Sequence, residues 1–275
     1  VISNTLLVLT KGIVGLVTGS ISILAESIHS AVDLVASVIA YFAVRMAEQP
    51  PDEAHTYGHG KFENISGAIE ALLILIAAVY IGYEAISRIL RESSVEQLGA
   101  GIGIMLISCI VNFFVSRFLF HVAKKTDSIA LEADAHHLRL DVYTSLGVFV
   151  GLLIVYFTGV VVLDRLLGLA IALWICWIGI QLIRKAVGPL LDLQLPASEV
   201  ERIANIIDSE PNVIGFHKLR TRKSGNERHI DVHLVVPKQM SLAEAHKVAE
   251  NVEDKIRTEL DNVSILTHVE PEEDE

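Results

Sequence analysis

Two apolar stretches of helical length each place a histidine four residues before an aspartate: Glu26-Ser-Ile-His29-Ser-Ala-Val-Asp33 and His136-His137-Leu-Arg-Leu-Asp141. Four residues is just over one helical turn, so imidazole and carboxylate stand on one face. Two such helices facing each other would bring two nitrogens and two oxygens to one point. That is a tetrahedral donor set for a divalent metal, zinc above all. Ionisable side chains are expensive to keep inside a bilayer, so their presence there marks an ion pathway. Two unrelated polar residues packed between helices would be the plainer reading, but the repeat in a second span argues against it. His136 lies about 100° around the helix from His137, so His137 is the expected ligand.

Eight of the eleven histidines fall in three groups: His29 with His137, His55 with His59, and His217, His233, His246 with His268. The middle group sits in Asp52-Glu-Ala-His55-Thr-Tyr-Gly-His59, one carboxylate and two imidazoles at offsets of three and four. Three ligands plus water or a neighbour suffice for zinc, yet Gly58 and Gly60 permit many loop shapes and a merely polar loop stays open. In the distal group, alternation puts His229, Asp231 and His233 on one strand face. His217 falls on the partner strand, His246 on a helix, and His268 and Glu270 at the end of a last strand. None forms a tight pair in sequence, so a metal site and a set of surface histidines both remain open.

The elements that must position these groups read as six membrane spans followed by a soluble domain. The spans run about Ile2–Gly19, Ile21–Met46, Ile65–Ile86, Leu98–Val122, Ile129–Phe157 and Leu166–Ile183, charge-poor runs long enough to cross a bilayer. A polar loop, Gln49 to Lys61, separates the second and third. After about Pro189 the sequence turns charged and alternating. Ser198 caps a helix to about Ser209. Phe216–Arg222 and His229–Val236 flank the turn Ser224-Gly-Asn226 as a hairpin. Ser241-Leu-Ala-Glu244 has the capping-box spacing that opens a helix to about Leu260, and Val263–His268 is a last strand. The expected fold is an α-helical membrane protein of six transmembrane helices (residues 1–188) with a C-terminal α+β domain of order αββαβ (residues 189–275).

Six spans return both termini to one side. Arg45, Lys61, Lys124, Lys125, Arg184 and Lys185 flank the loops on the side of the soluble domain, against Arg88, Arg91 and Arg165 opposite, which places that domain in the cytoplasm. The net charge of -11 argues against nucleic acid, part of it lying in Glu270-Pro-Glu-Glu-Asp-Glu275, read as a solvated tail. Cys109 and Cys176 sit in apolar runs as small buried hydrophobes rather than a disulfide. The chain opens within an apolar stretch, and no signal peptide is assigned. Lys11 is expected to snorkel or to pair with a helix end, Glu70 and Glu84 to be structural, and Glu132 and Asp134 to belong to a solvated helix end.

Taken together, the six spans, the paired ligand motifs, Asp52-x-x-His-x-Tyr-Gly-His-Gly-Lys61 and Leu219-Arg-Thr-Arg-x-Ser-Gly225 resemble the cation diffusion facilitators, over nearly the whole chain. The resemblance is to the bacterial, homodimeric zinc and iron efflux members, and implies a divalent-metal/proton antiporter, not an enzyme, in the bacterial inner membrane. It implies a transport site at His29, Asp33, His137 and Asp141, where many bacterial relatives carry Asp at the first position. It implies a loop site at Asp52, His55 and His59. It also implies a binuclear cytoplasmic site at the dimer interface of a metallochaperone-like domain, at His217, His233, His246, His268 and Glu270, where the bacterial pattern has Asp in place of Glu270. A charge interlock would fall on Lys61 and Asp192. The His-rich insert between spans four and five of eukaryotic members is absent. The expected function is proton-coupled Zn²⁺ export, with Fe²⁺, Mn²⁺, Cd²⁺ or Co²⁺ as alternative cargo. Two imidazoles and two carboxylates favour zinc over manganese's all-oxygen preference. A non-transporting metal sensor or scaffold is the alternative of a different class. A membrane zinc hydrolase lacks support, since neither His-Glu-x-x-His nor Gly-x-Ser-x-Gly occurs.

Overall fold

The computed structural model describes residues 1–18, 21–90, 102–158 and 161–272. Within its helices, the side chains of residues 15, 18, 21–26, 28–29, 32, 84, 88–90, 102–105, 148–156 and 161–165 fall outside the described set. Those of Glu26, His29, Glu84, Arg88 and Arg165 are among them, and Arg91 and Leu98 lie outside it altogether. The chain divides into two units: Val1–Gly58 with Phe62–Val187, and Gly188 onward with the short segment His59–Lys61.

The first unit is helical: α1 (Ile2–Thr18), α2 (Ile21–Ala47), α3 (Lys61–Leu90), α4 (Ile102–Thr126), α5 (Ile129–Thr158) and α6 (Val161–Val187). Among the described residues, Lys61–Ser87, Leu106–Thr126 and Leu166–Leu191 are long and apolar enough to cross a membrane, and Ile2–Val14 is a shorter apolar helix. α4 runs a turn past the expected Val122, because basic side chains suit the negative end of a helix. It stops at Asp127, whose φ of 53° is left-handed, with Ser128 N–H donating back to the Ala123 carbonyl. The Ser128 hydroxyl then accepts from Leu131 N–H and starts α5. Small residues set the packing of α3: Ala71 and Ala78 are enclosed with Ile74 against Leu140 of α5 and Ile175 and Leu182 of α6. Large apolar side chains such as Leu72, Ile76, Phe114 and Phe118 point outward. Cys109 and Cys176 are free and half-buried.

The buried polar residues of α1 and α2 face each other. Asn4 Nδ2 donates to Ser37 Oγ at 2.8 Å, and Lys11 Nζ donates to Ser30 Oγ at 2.8 Å. Lys11 is therefore buried in the helix pair and does not snorkel, as an ammonium in a low-dielectric interior must be hydrogen-bonded.

In the second unit a short 3₁₀ turn (Gly188–Leu191) leads to α7 (Ala197–Asp208), β1 (Gly215–Ser224), β2 (Glu227–Val236), α8 (Leu242–Glu259) and β3 (Val263–Pro271). Pro196, not Ser198, is the residue before α7, and no side chain caps it. Proline's fixed φ and missing N–H suit a helix start. The Ser241–Glu244 capping box closes in both directions. β1 and β2 form an antiparallel hairpin whose two-residue loop opens on Gly225 at φ 61°, a conformation glycine adopts without steric cost. β3 adds in parallel beside β2 after the α8 crossover. Alternation sends Ile230, Val232 and Leu234 into a core with Ile203 and Ile207 of α7 and Val252 and Ile256 of α8. β3 extends to Pro271, so Glu270 belongs to a strand rather than to a solvated tail.

Ile256 is fully buried in this core. Ile256→Ala should lower the stability of the second unit by about 2–5 kcal/mol, read from its denaturant midpoint; a change near zero would show that the core assignment is wrong.

Candidate metal centre

On α2, Asp33 and Ser37 lie one turn apart. On α5, Asp134, His137 and Asp141 follow at intervals of three and four, so each helix presents one polar line. Two rungs join the lines: His137 Nε2 stands 3.0 Å from Asp33 Oδ1, and Ser37 Oγ donates to Asp134 Oδ1 at 3.1 Å. Asp141 Oδ2 accepts from Asn112 Nδ2 of α4 at 3.4 Å. One ligand atom each from Asp33, His137 and Asp141 lies within 4.8 Å of the others. The Asp33 and His137 side chains are 9% and 13% exposed, so both are largely enclosed by protein. A cavity of about 80 Å³, lined by His137, Asp141, Thr144, Ile74, Ile81 and Ile175, opens beside them. His29 is on α2 one turn before Asp33, but its side chain is outside the described set.

Sequence reading missed the supporting shell. Asn112 on α4, Ser37 on α2 and Asn4 on α1 carry no metal-ligand signature, only a polar residue in an apolar run. Asp134 is buried and hydrogen-bonded, not solvated, because α2 covers it; Glu132 pairs instead with Lys185 of α6. Glu70 on α3 is 1% exposed, and neither oxygen has a hydrogen-bond partner among the described residues.

In the loop, Asp52 Oδ1 accepts from the Ala54 and His55 backbone N–H groups and lies 3.4 Å from His55 Nδ1. Gly58, at φ 76°, allows the turn that follows, and His59 is buried. Asp52 and His55 belong to the first unit, and His59 to the short segment assigned to the second. Lys61 Nζ meets Asp192 Oδ1 at 3.1 Å, and Arg222 Nη1 reaches the same oxygen at 3.4 Å. The Lys61 hydrogen bond and then the charges of Lys61 and Arg222 hold the Asp192 carboxyl below its ordinary range. Arg222 was not foreseen as a second cation there. The close approach of Gly60 to the hairpin leaves no room for a side chain, since a Cβ would fall 2.4 Å from the Ser224 carbonyl oxygen.

The open face of the sheet carries the third group. Register sets His217 opposite His233, and His233 opposite His268, so three imidazoles line up across β1, β2 and β3. Their neighbouring ring centroids are 5.2 and 4.7 Å apart. The Glu270 carboxylate spans the row, 2.7 Å from His233 Nδ1, 3.0 Å from His217 Nε2 and 3.5 Å from His268 Nε2. His217, His233 and Glu270 satisfy the 4.8 Å grouping. Within one chain His246 is not part of the row: it stands on α8, 72% exposed, beside Glu250. His229, on the same strand as His233, is buried; burial pushes its imidazole pKa down, and Arg222 and Lys61 add to this. Imidazole nitrogens with one carboxylate, or with two in the helical group, are donors that suit zinc.

The hydrogen bond from His233, followed by the charges of His233, His217 and Lys218, holds Glu270 below the ordinary glutamate range. A carboxyl depressed on folding stabilises the fold above its unfolded pKa and loses that contribution as pH falls through the folded value. Glu270→Gln should therefore flatten the acid limb of the domain's stability–pH curve, measured by denaturant unfolding across the carboxylate range. An acid limb identical to the parent's would contradict the tie.

A family model for the cation efflux transmembrane domain matches residues 1–191, and one for the cation efflux protein cytoplasmic domain matches residues 195–272. The chain is 33% identical over 259 residues to an uncharacterised transporter of Synechocystis sp., covering 94% of this chain and 84% of that protein. It is 35% identical over 254 residues to the cation-efflux pump FieF of Yersinia pestis, covering 92% and 84%. A solved structure of CzrB is 31% identical and covers 29% of this chain and 99% of its own, with a TM-score of 0.28. The chain belongs to the cation efflux family, the cation diffusion facilitators: membrane transporters with a helical transmembrane domain and a cytoplasmic domain built on a small sheet.

Proposed function

We propose that this transporter exports Zn²⁺ from the cytoplasm across the bacterial cell membrane in exchange for protons, by alternating access through His29, Asp33, His137 and Asp141. The observation that carries this reading is the convergence of Asp33, His137 and Asp141 from two helices within 4.8 Å, with Asp33 and His137 largely enclosed by protein. Metal binding needs neutral imidazole and ionised carboxylate, so ion and proton compete for the same atoms. The contact of His137 Nε2 with Asp33 Oδ1 expresses that competition, since a proton shared there occupies the lone pairs a metal would take. An imidazole's ordinary titration range lies near neutral pH, which suits release of the ion against entry of a proton. Asn112 and Ser37 orient the acids, and outer partners of this kind sustain ligand geometry.

On the same reading, residues 1–188 transport and residues 189–275 sense metal and join two copies. His217, His233, His268 and Glu270 form the core of a cytoplasmic site, and His246 would come to it from the partner copy. Asp52, His55 and His59 are the proposed loop ligands, and Asp192, with Arg222 beside it, holds Lys61 at the first residue of α3. Metal occupancy of ligands drawn from separate strands would couple cytoplasmic concentration to dimer geometry.

Proteoliposomes loaded with the protein separate these roles. Asp33→Ala or Asp141→Ala should reduce Zn²⁺ flux to that of empty vesicles, and dissipating the pH gradient should abolish uphill flux in the parent; full flux in either variant overturns the site. His233→Ala should leave flux at saturating metal but shift its concentration dependence. An unshifted curve removes the regulatory role. The same assay with Fe²⁺, Mn²⁺, Cd²⁺ and Co²⁺ tests the choice of zinc.

A further inference from the structure

The outward side of the α4–α5 pair carries cationic groups that the transport mechanism does not use. Arg139 lies on α5 between His137 and Asp141 in sequence, but about 160–200° around the helix from each, so it faces away from the metal centre. Its guanidinium carbon sits 4.2 Å from the centroid of Phe120 on α4, and His136 packs edge-on against the same ring at 4.8 Å. Arg117, one turn before Phe120, is exposed. Among the described residues neither Arg117 nor Arg139 has an acidic partner or a hydrogen-bond acceptor. The nearby Glu132 is engaged by Lys185, and Lys124 and Lys125 add two more exposed cations in the last turn of α4.

Position makes this patch unusual. Lys124 and Lys125 are ordinary company for a helix C-terminus. Arg117 is not, for it stands nine residues before Thr126, in the middle of the apolar segment Leu106–Thr126. Arg139 is ten residues inside α5. Guanidinium groups at membrane depth are costly unless they pair or reach the interface. Arg139 holds its guanidinium over the Phe120 ring with no acceptor among the described residues, and a guanidinium fork matches phosphate oxygens bidentately. Phe113, Phe114 and Phe118 lie exposed on the same helix, an apolar surface for acyl chains that a soluble anion would not need.

We propose that the α4–α5 face around Phe120 binds the headgroup of an acidic phospholipid from the cytoplasmic leaflet, with Arg117 and Arg139 holding its phosphate. Lys124 and Lys125 supply the surrounding positive potential, and the occupied face of α5 is the reverse of the one that carries two metal ligands.

The test is lipid retention by the purified full chain in detergent, read by native mass spectrometry during titration with phosphatidylglycerol, phosphatidylcholine or inorganic phosphate. Phosphatidylglycerol should bind about ten-fold more tightly than phosphatidylcholine, and the R117Q/R139Q double variant should lose that preference, each cation near a lipid surface being worth close to a factor of five. R117Q alone alters only an exposed side chain and should lose part of it, so the question stays decidable if R139Q fails to fold. Equal retention of the two lipids, a preference that survives in R117Q and R139Q alike, or displacement of phosphatidylglycerol by millimolar inorganic phosphate would each overturn the proposal.

Discussion

An ionisable side chain buried between membrane helices is costly unless the protein supplies it a partner, because acyl chains offer none. That constraint organises the helical unit. Asp33 answers His137, Asp141 answers Asn112, Asp134 answers Ser37, and Ser37 answers Asn4, so four helices are joined by one run of polar contacts. The apolar residues around it, Ile74, Leu140 and Ile175 among them, close the bundle and keep the polar run dry. Lys11 follows the same logic about two turns along the same α1–α2 pair, its ammonium donating to Ser30 rather than reaching out to the interface. A site built in this way binds a cation for a simple reason: its acids and imidazole are already gathered, and the work of desolvating them was done in folding.

The cytoplasmic domain solves a different problem with the same residue types. Its sheet has one face covered by α7 and α8 and one face open, and the open face concentrates imidazole. The β1–β2 and β2–β3 registers place three histidines side by side, which would repel one another if charged. The Glu270 carboxylate lies against all three and relieves that cost. Its extra methylene relative to aspartate lets one side chain on β3 reach as far as β1, two strands away. On the proposed reading, a metal replaces protons in this arrangement, and a second copy completes it.

Much of this was legible in the sequence, and for identifiable reasons. The His-x-x-x-Asp spacing maps directly onto one helical face, so the convergence of α2 and α5 needed only that the helices meet. The alternation of β2 and the Ser241–Glu244 capping box were equally local, and both appear as read. What escaped was non-local or chemically anonymous. Asn112, Ser37 and Asn4 matter through contacts that no spacing announces. Glu270 was read both at the end of the last strand and as the start of an acidic tail; parallel pairing with β2 carries the strand through Glu270 and Pro271. The end of α4 was placed too early because hydropathy falls at Lys124 while helical hydrogen bonding continues. Ser198 looked like a cap, but Pro196 begins the helix without one.

The account stands or falls on whether one metal ion is shared by His29, Asp33, His137 and Asp141. X-ray absorption at the zinc edge addresses this directly, using the full chain with His55, His59, His217 and His233 replaced so that only the helical site can load. The account predicts a four-coordinate ion with two imidazole nitrogens and two carboxylate oxygens at about 2.0–2.2 Å. A six-coordinate, all-oxygen environment, or the same spectrum after Asp141→Ala, would contradict it.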